Sequence, residues 1–224
     1  MRGGEVVSKE PVSRPILFSA PMVRAILDGR KTQTRRAIRP QPNGKLLGVL
    51  DRDRGPRYWF AAGPADRSSV EVYCPYGKPG DLLWVRETWQ HSNHPLGPYD
   101  RDCTVFYRAD YLDDPHGPDG EKSPEGKYRQ WRPSIHMPRL ACRITLRVTD
   151  VRVERLADIS EDDVVAEGWP HTDTNGAGVP LRDAYPIGWY ANLWEDINGK
   201  GSWERNPWVW VVSFERVVEA RAAA

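Results

Sequence analysis

The sequence predicts a mainly β protein with short helices (α+β), and three observations carry that prediction. Segments 82–89, 141–153 and 207–217 have strand patterning, and none is followed by the regular helix alternation that a parallel α/β sheet needs. Ten Trp, 20 Pro and 19 Gly in 224 residues favour short strands, frequent turns and aromatic packing over long helices. An apolar share of 39% beside 28% charged residues is that of a soluble globular chain with a core to build.

Residues 1–14 are polar with scattered Val, and a disordered lead-in is expected there, with structure starting near Pro15. Ile16-Leu17-Phe18 is a short buried strand feeding a helix. That helix has Ser19 as its cap, Pro21 in its first turn, Met22, Val23, Ile26 and Leu27 at helical spacing, and Gly29 to stop it. Gly29 to Arg36, GRKTQTRR, then reads as a turn, and Pro40 and Pro42 break any element after Arg39. Between 43 and 76, Gly and Pro punctuate short apolar pieces in the manner of an inserted hairpin. After the turn at Lys78 to Gly80, Leu82, Trp84, Arg86 and Thr88 share one strand face and Leu83, Val85, Glu87 and Trp89 the other. Both faces mix apolar and charged groups, as a closed-barrel strand would with one end at a site.

Residues 90–138 are turn-rich, with one strand expected near 103–108 and an unusual mixture of Trp131, Arg132 and His136 at the end. Ala141 to Val153 alternates clearly. Ser160 with Asp163 three residues on signals a helix that ends at Glu167-Gly168. A loop over 170–180, a Trp-rich helix from Leu181 to Ile197, a closing strand from Pro207 to Val217 and a tail over 218–224 complete the chain.

Charge and cysteine usage narrow the partners. Lys plus Arg number 32 against 31 Asp plus Glu, a net charge of +1, so any contact with RNA or single-stranded nucleic acid must come from local basic patches. Cys74, Cys103 and Cys142 are widely spaced and odd in number, which points to reduced thiols in a cytoplasmic protein. His91, His94, His116 and His171 lack metal-ligand spacing, so neither a metal nor another cofactor is expected. No run reaches the roughly 20 apolar residues of a membrane span, and no membrane partner is expected.

The chemistry concentrates in GRKTQTRR. Lys31 and Thr34, three apart, meet across a helical or bulged turn, where a desolvated Lys can serve as base to a Thr nucleophile. The plain alternative is a solvated basic turn. Glu167 sits at a helix C-terminus, opposing the dipole, and is either a tolerated surface residue or one held by a cation or a function. Arg35, Arg36, Arg39, Arg139, Arg143, Arg147 and Arg152 form either a phosphate-binding face or the solvated side of their strands. Trp84 and Trp89 are candidates to stack a base, Trp89 the favoured one, with core packing as the competing use. His136 is either a substrate contact or a structural residue.

Taken together, a helix ending in Gly-Arg-Lys-Thr, Gly80-Asp81 opening a strand, a long alternating strand, Ala166-Glu167-Gly168 closing a helix and a final Trp-Val strand resemble the ASCH family. The resemblance covers about 15–38, 78–89 and 140–217. It implies a single ASCH domain of the PUA-like β-barrel fold over 15–217, with insertions at about 40–77 and 90–138. ILFSAPMVRAILDGRKTQTRR with WVRETW is similar to a long type common in phages and prophages. Small members of the family are amidohydrolases that deacetylate N4-acetylcytidine with a Lys, a Thr and a Glu, and Lys31, Thr34 and Glu167 match those positions. Other members are proposed RNA binders, and some are described as ribonucleases.

The resemblance therefore implies a metal-independent amidohydrolase that removes an acyl group from the exocyclic amine of a modified cytosine nucleoside or nucleotide. Thr34 would attack the acyl carbon and Lys31 accept its proton while Glu167 orients Lys31 or protonates the leaving amine. In a variant, Glu167 activates water and Lys31 stabilises the oxyanion. Arg30, Arg35, Arg36, Arg86, Trp89 and His136 are the expected substrate contacts. The rival from another class is a non-catalytic module binding RNA or modified nucleic acid, or a ribonuclease.

Overall fold

The computed structural model describes residues 10–52, 55–63, 66–93, 97–114, 130–170 and 185–217. In chain order the elements are β1 (Ser13–Leu17), α1 (Ala20–Leu27), β2 (Gln33–Ala37), β3 (Leu46–Arg52), β4 (Gly55–Gly63), β5 (Asp66–Tyr73) and β6 (Leu82–Arg86). Then come β7 (Trp89–His91), β8 (Val105–Tyr107), β9 (Thr145–Arg155), α2 (Glu161–Ala166), α3 (Pro186–Asn198) and β10 (Trp208–Val217). The protein is mainly β with a few short helices. Among the described residues no helix is long and apolar enough to cross a membrane.

Five strands form the principal sheet in the order β1-β6-β9-β10-β2. Hydrogen bonding does not close this sheet from β2 back to β1 among the described residues. A side chain spans that gap, because Arg36 of β2 donates from Nη2 to the Leu17 carbonyl at the end of β1, at 2.6 Å. β1 runs parallel to β6 from Ser13 opposite Leu82, while β9 and β10 run antiparallel over ten residue pairs.

β10 explains the two cores. Its continuous apolar run is buried on both faces, as a central strand with packing on either side requires. Trp210, Val212 and Phe214 join Ile16, Val23, Leu83 and Leu146 in the larger core, while Val209 and Val211 join Leu156, Val164, Tyr190 and Trp194 in the smaller one. Burying each such side chain stabilises the fold by roughly 1.5–3 kcal/mol. The smaller core docks α2 and α3 against the sheet, and that docking positions the site.

Several elements differ from the sequence expectation. GRKTQTRR is a turn only as far as Thr32. Gln33–Ala37 is a strand, with Thr34 opposite Val212 and Arg36 opposite Trp210. The piece expected as a hairpin within 43–76 is a three-stranded meander, β3-β4-β5. It is anchored, since Tyr58 and Phe60 of β4 are buried in the larger core. The strand expected over 82–89 splits: β6 ends at Arg86, and Trp89 opens β7, which pairs with β8 instead of the main sheet. Structure begins at Ser13, two residues before the expected Pro15. Residues 1–9, 171–184 and 218–224, with His94, His116 and His171, lie outside the described residues.

Candidate active site

The site is assembled where α1 and α2 both end. Gly29, at φ 75°, turns the chain after α1. The amides of Arg30 and Lys31 then both donate to the Ala25 carbonyl, at 2.9 and 3.0 Å. The Thr32 amide donates to the Ala166 carbonyl at 2.8 Å, and Lys31 forms a β-bridge with Glu167. Two distant pieces of chain are thus pinned backbone to backbone. Gly168 permits the approach: its φ is 98°, and a Cβ there would lie 3.1 Å from the Cβ atoms of both Ala25 and Lys31.

α2 delivers Glu167 accurately because its start is fixed by a reciprocal cap. The Asp163 amide donates to Ser160 Oγ, and the Ser160 amide to Asp163 Oδ2. Glu167 is the C-cap residue and is only 5% exposed. A carboxylate at that end of a helix needs cations, and they are present. Lys31 Nζ, from a residue 2% exposed, lies 2.6 Å from Glu167 Oε2 and 2.9 Å from its carbonyl oxygen. Glu167 Oε1 meets Arg35 Nη1 at 3.5 Å and accepts from the Tyr190 hydroxyl at 3.4 Å.

Around that pair the buried charges are paired. Arg35, fully buried, also reaches Asp163 at 2.8 Å and Glu154 at 3.1 Å. Arg152 contacts Glu154 and lies 2.7 Å from Asp163, while Gln33 donates to Asp163 at 3.0 Å and accepts from Arg152 at 3.1 Å. Lys31, Arg35 and Arg152 therefore face Glu154, Asp163 and Glu167, with exposed Asp150 3.8 Å from Arg152 at the rim, and paired buried charges are tolerable where an unpaired one is not. Burial opposes ionisation of Asp163, but the Gln33 hydrogen bond and the guanidinium charges outweigh it and hold that carboxyl well below the ordinary carboxylate range. Lys31 goes the other way. Its complete burial lowers its proton affinity more than Glu167 restores it. The Tyr190 phenol, buried beside Glu167, is pushed well above its ordinary value and stays protonated.

A cavity of about 380 Å³ opens onto this corner, lined by Thr34, Arg36, Glu167, Tyr190 and Trp210 among others. Thr34 is 3% exposed, and its hydroxyl has no hydrogen-bond partner among the described residues. Glu167 also walls a second, more apolar cavity of about 300 Å³, with Arg30, Trp189 and Leu193. Lys31 lines neither cavity and lies behind the Glu167 carboxylate. The surface of the pair that a ligand can reach is thus the carboxylate. Among the described residues no group of three or more His, Cys, Asp or Glu is arranged to hold a metal ion.

The other predicted contacts divide. Arg36 lines the larger cavity with its guanidinium 5.2 Å from the Phe18 ring, and Arg30 lines the second, donating to the Gly168 carbonyl at 3.1 Å. Arg35 lines the larger cavity too, but its charge is spent on three carboxylates. Arg86 donates to the Ile135 carbonyl and lies over Trp84, and exposed His136 sits in a 3-10 turn over 134–136; neither lines a cavity at Glu167. Trp89 is a correction. It is 1% exposed and packed with Met137 and Ala141, so it has no free face on which to stack a base. Of the seven arginines expected as either a phosphate face or the solvated side of their strands, Arg35, Arg143, Arg147 and Arg152 are ion-paired, whereas Arg36, Arg39 and Arg139 form no ion pair among the described residues.

Sequence reasoning missed Tyr190, Trp194 and Asn198, which α3 presents to the larger cavity. Tyr190, Trp194 and Asn198 are spaced four apart on one helix face, a signal present in the expected Trp-rich helix. No family model and no curated protein matches the chain. Among solved structures the chain is similar to the crystal structure of protein EF3133 from Enterococcus faecalis V583, of family DUF984. The identity is 11%, with 94% of this chain and 82% of that one covered and a TM-score of 0.36.

Proposed function

We propose that the chain is an ASCH-type amidohydrolase that removes an acyl group from the exocyclic amine of a modified cytosine nucleoside or nucleotide. One observation carries the reading: Glu167, ion-paired to a buried Lys31, walls the same cavity as the unpartnered hydroxyl of Thr34. Thr34 Oγ attacks the acyl carbon, and its proton passes to the Lys31–Glu167 pair acting as one acceptor. Collapse of the tetrahedral adduct breaks the bond to the exocyclic nitrogen, which takes that proton back and leaves as the amine. Water then hydrolyses the Thr34 ester and frees the acid. Arg36 supplies a donor at the cavity wall, and Tyr190, Trp194 and Trp210 supply aromatic surface for a pyrimidine.

A nucleic-acid-binding module would need a cationic face free of carboxylates. The ion pairing of Arg35, Arg143, Arg147 and Arg152 removes four of the seven arginines such a face would use. The test is release of cytidine, or of its monophosphate, from the N4-acetylated compounds, followed by chromatography. The wild type is expected to release product, and Thr34→Ala and Glu167→Gln to do so at least ~100-fold more slowly. No release from any N4-acylated compound by the wild type would overturn the reading.

A further inference from the structure

The larger cavity at Glu167 has a neighbour. A cavity of about 200 Å³ shares Ala37, Arg39, Trp194 and Asn198 with it, and adds Gln41, Ser202 and Arg205 to its lining. A ligand seated over Glu167 therefore has an adjoining compartment along the same wall, at the C-terminal end of α3.

The charged groups of this compartment are all cationic. Ser202 is 4% exposed, and its buried Oγ has no hydrogen-bond partner among the described residues. Trp194, also 4% exposed, likewise has a buried Nε1 with no partner among them, and an indole N–H can only donate. Unpaired buried donors are unfavourable, and both of these side chains line the compartment. Arg39 and Arg205 are exposed and form no ion pair among the described residues, unlike Arg35, Arg143, Arg147 and Arg152. No Asp or Glu lines the compartment. Its turn is also built to hold Ser202: Gly199 and Gly201 have φ values of 91° and 72°, and the Ser202 amide donates to the Gly199 carbonyl at 3.1 Å.

The two guanidiniums, with no carboxylate in the lining, offset the unfavourable dipole at the C-terminal end of α3 and match an ionised phosphate, which offers acceptors only. We propose that this compartment binds the phosphate monoester of a nucleotide whose base lies over Glu167, so that the substrate is an N4-acylated cytidine monophosphate and not the free nucleoside. The inference rests on the amidohydrolase reading for the identity of the base, but the phosphate site stands on its own residues. A monoester is favoured over a polynucleotide because the net charge of +1 gives the protein no general attraction for a polyanion.

The experiment compares kcat/KM for N4-acetylcytidine, its 5′- and 3′-monophosphates and an acetylated dinucleotide, and titrates cytidine and CMP into the protein by calorimetry. One monophosphate should be hydrolysed at least ~10-fold more efficiently than the nucleoside, and Arg205→Ala should bring that ratio close to one, as expected for loss of a charge-assisted contact. Arg205→Ala should also weaken CMP binding ~10-fold, and circular dichroism of this exposed-residue variant checks its fold. Hydrolysis of nucleoside and monophosphates with equal efficiency overturns the phosphate site and leaves the amidohydrolase reading intact. Preference for the dinucleotide overturns the monoester. If nothing is hydrolysed, the amidohydrolase reading fails, and calorimetry still decides: CMP bound more tightly than cytidine in an Arg205-dependent way supports the site, and equal binding overturns it.

Discussion

Three buried carboxylates among the described residues are paired with cations, Glu167, Glu87 and Asp81, the last 2.7 Å from Arg14, and a comparison of the first two separates a pair that faces cavities from one that does not. Glu167 meets Lys31 at 2.6 Å, and Glu87, 1% exposed, is gripped by Arg143 through Nε and Nη2 at 2.9 and 3.0 Å. Arg143 also reaches Asp110 at 2.7 Å and lies 3.9 Å from the Tyr107 ring centre. Burial raises the Glu87 carboxyl above its ordinary value even against the Arg143 hydrogen bond, and pushes the Tyr107 phenol up to about 12. Both pairs thus carry the marks of desolvation. Two features distinguish them. Glu167 walls two cavities while Glu87 lines none of those described, and the partner of Glu167 can release its proton whereas a guanidinium cannot. A perturbed buried carboxylate is thus insufficient evidence of a site.

The largest expected effect belongs to the architectural pair. Arg143→Met leaves Glu87 buried without its cation, which should lower stability by about 3–5 kcal/mol. Denaturant midpoints measure this, and turnover per folded molecule should not change. Unchanged stability with lost turnover would reverse the assignment of the two pairs.

At the other pair the effect should fall on rate. Lys31→Met, Thr34→Ala and Glu167→Gln should each reduce turnover of the acylated substrate at least ~100-fold, about 2.7 kcal/mol of barrier. Lys31→Arg keeps the cation and removes its ability to discharge, so it should be nearly as impaired as Lys31→Met. Because burial lowers the Lys31 proton affinity, the rising limb of kcat/KM against pH should lie below about 10.4, the ordinary lysine value. Near-normal turnover by Lys31→Arg would remove Lys31 from proton transfer and leave it as an electrostatic anchor for Glu167.

How far these regions were legible in the sequence depends on the groups that satisfy each residue. β10 and α2 declared themselves, because Trp208–Val217 is an apolar run and Ser160 with Asp163 is a local cap. β2 did not. Gln33-Thr34-Arg35-Arg36 has no apolar alternation, since its inward groups are satisfied by Asp163, Glu154 and Glu167 from other elements, which no local pattern encodes. WVRETW misled in the opposite direction. Its alternation continues past Arg86 although the strand does not, so Trp89 leaves the main sheet for a separate core. That Lys31 and Glu167 adjoin could be expected only from the family resemblance, for 136 residues separate them.

A smaller effect tests the cluster behind the Lys31–Glu167 pair. Asp163 binds a proton less readily in the native state than in the unfolded chain. Its contribution is therefore fully present above the ordinary carboxylate value of about 3.9 and is lost as pH falls below it. Asp163→Asn should cost about 1.5–3 kcal/mol at pH 7, the scale of hydrogen bonds to a charged group, with the deficit shrinking below about pH 4. A deficit of the same size at pH 7 and pH 3 would show that the residue acts as a helix cap alone.

The smallest effect comes from Arg143→Lys, the mirror of Lys31→Arg. An ammonium still neutralises Glu87 but cannot match a carboxylate with two parallel N–H donors, nor reach Asp110 from the same rigid plane, nor stack its face on Tyr107. The loss should be one hydrogen bond's worth, about 1 kcal/mol, seen in the denaturant midpoint with no change in turnover. The two exchanges together separate charge from proton transfer. At the pair walled off from every described cavity, charge is what matters and the swap is nearly silent in rate. At the pair facing the cavities, the charge survives the swap and the proton chemistry does not. Equal sensitivity of turnover to both swaps would mean that the two ion pairs do the same structural work, and that access to a cavity does not distinguish them.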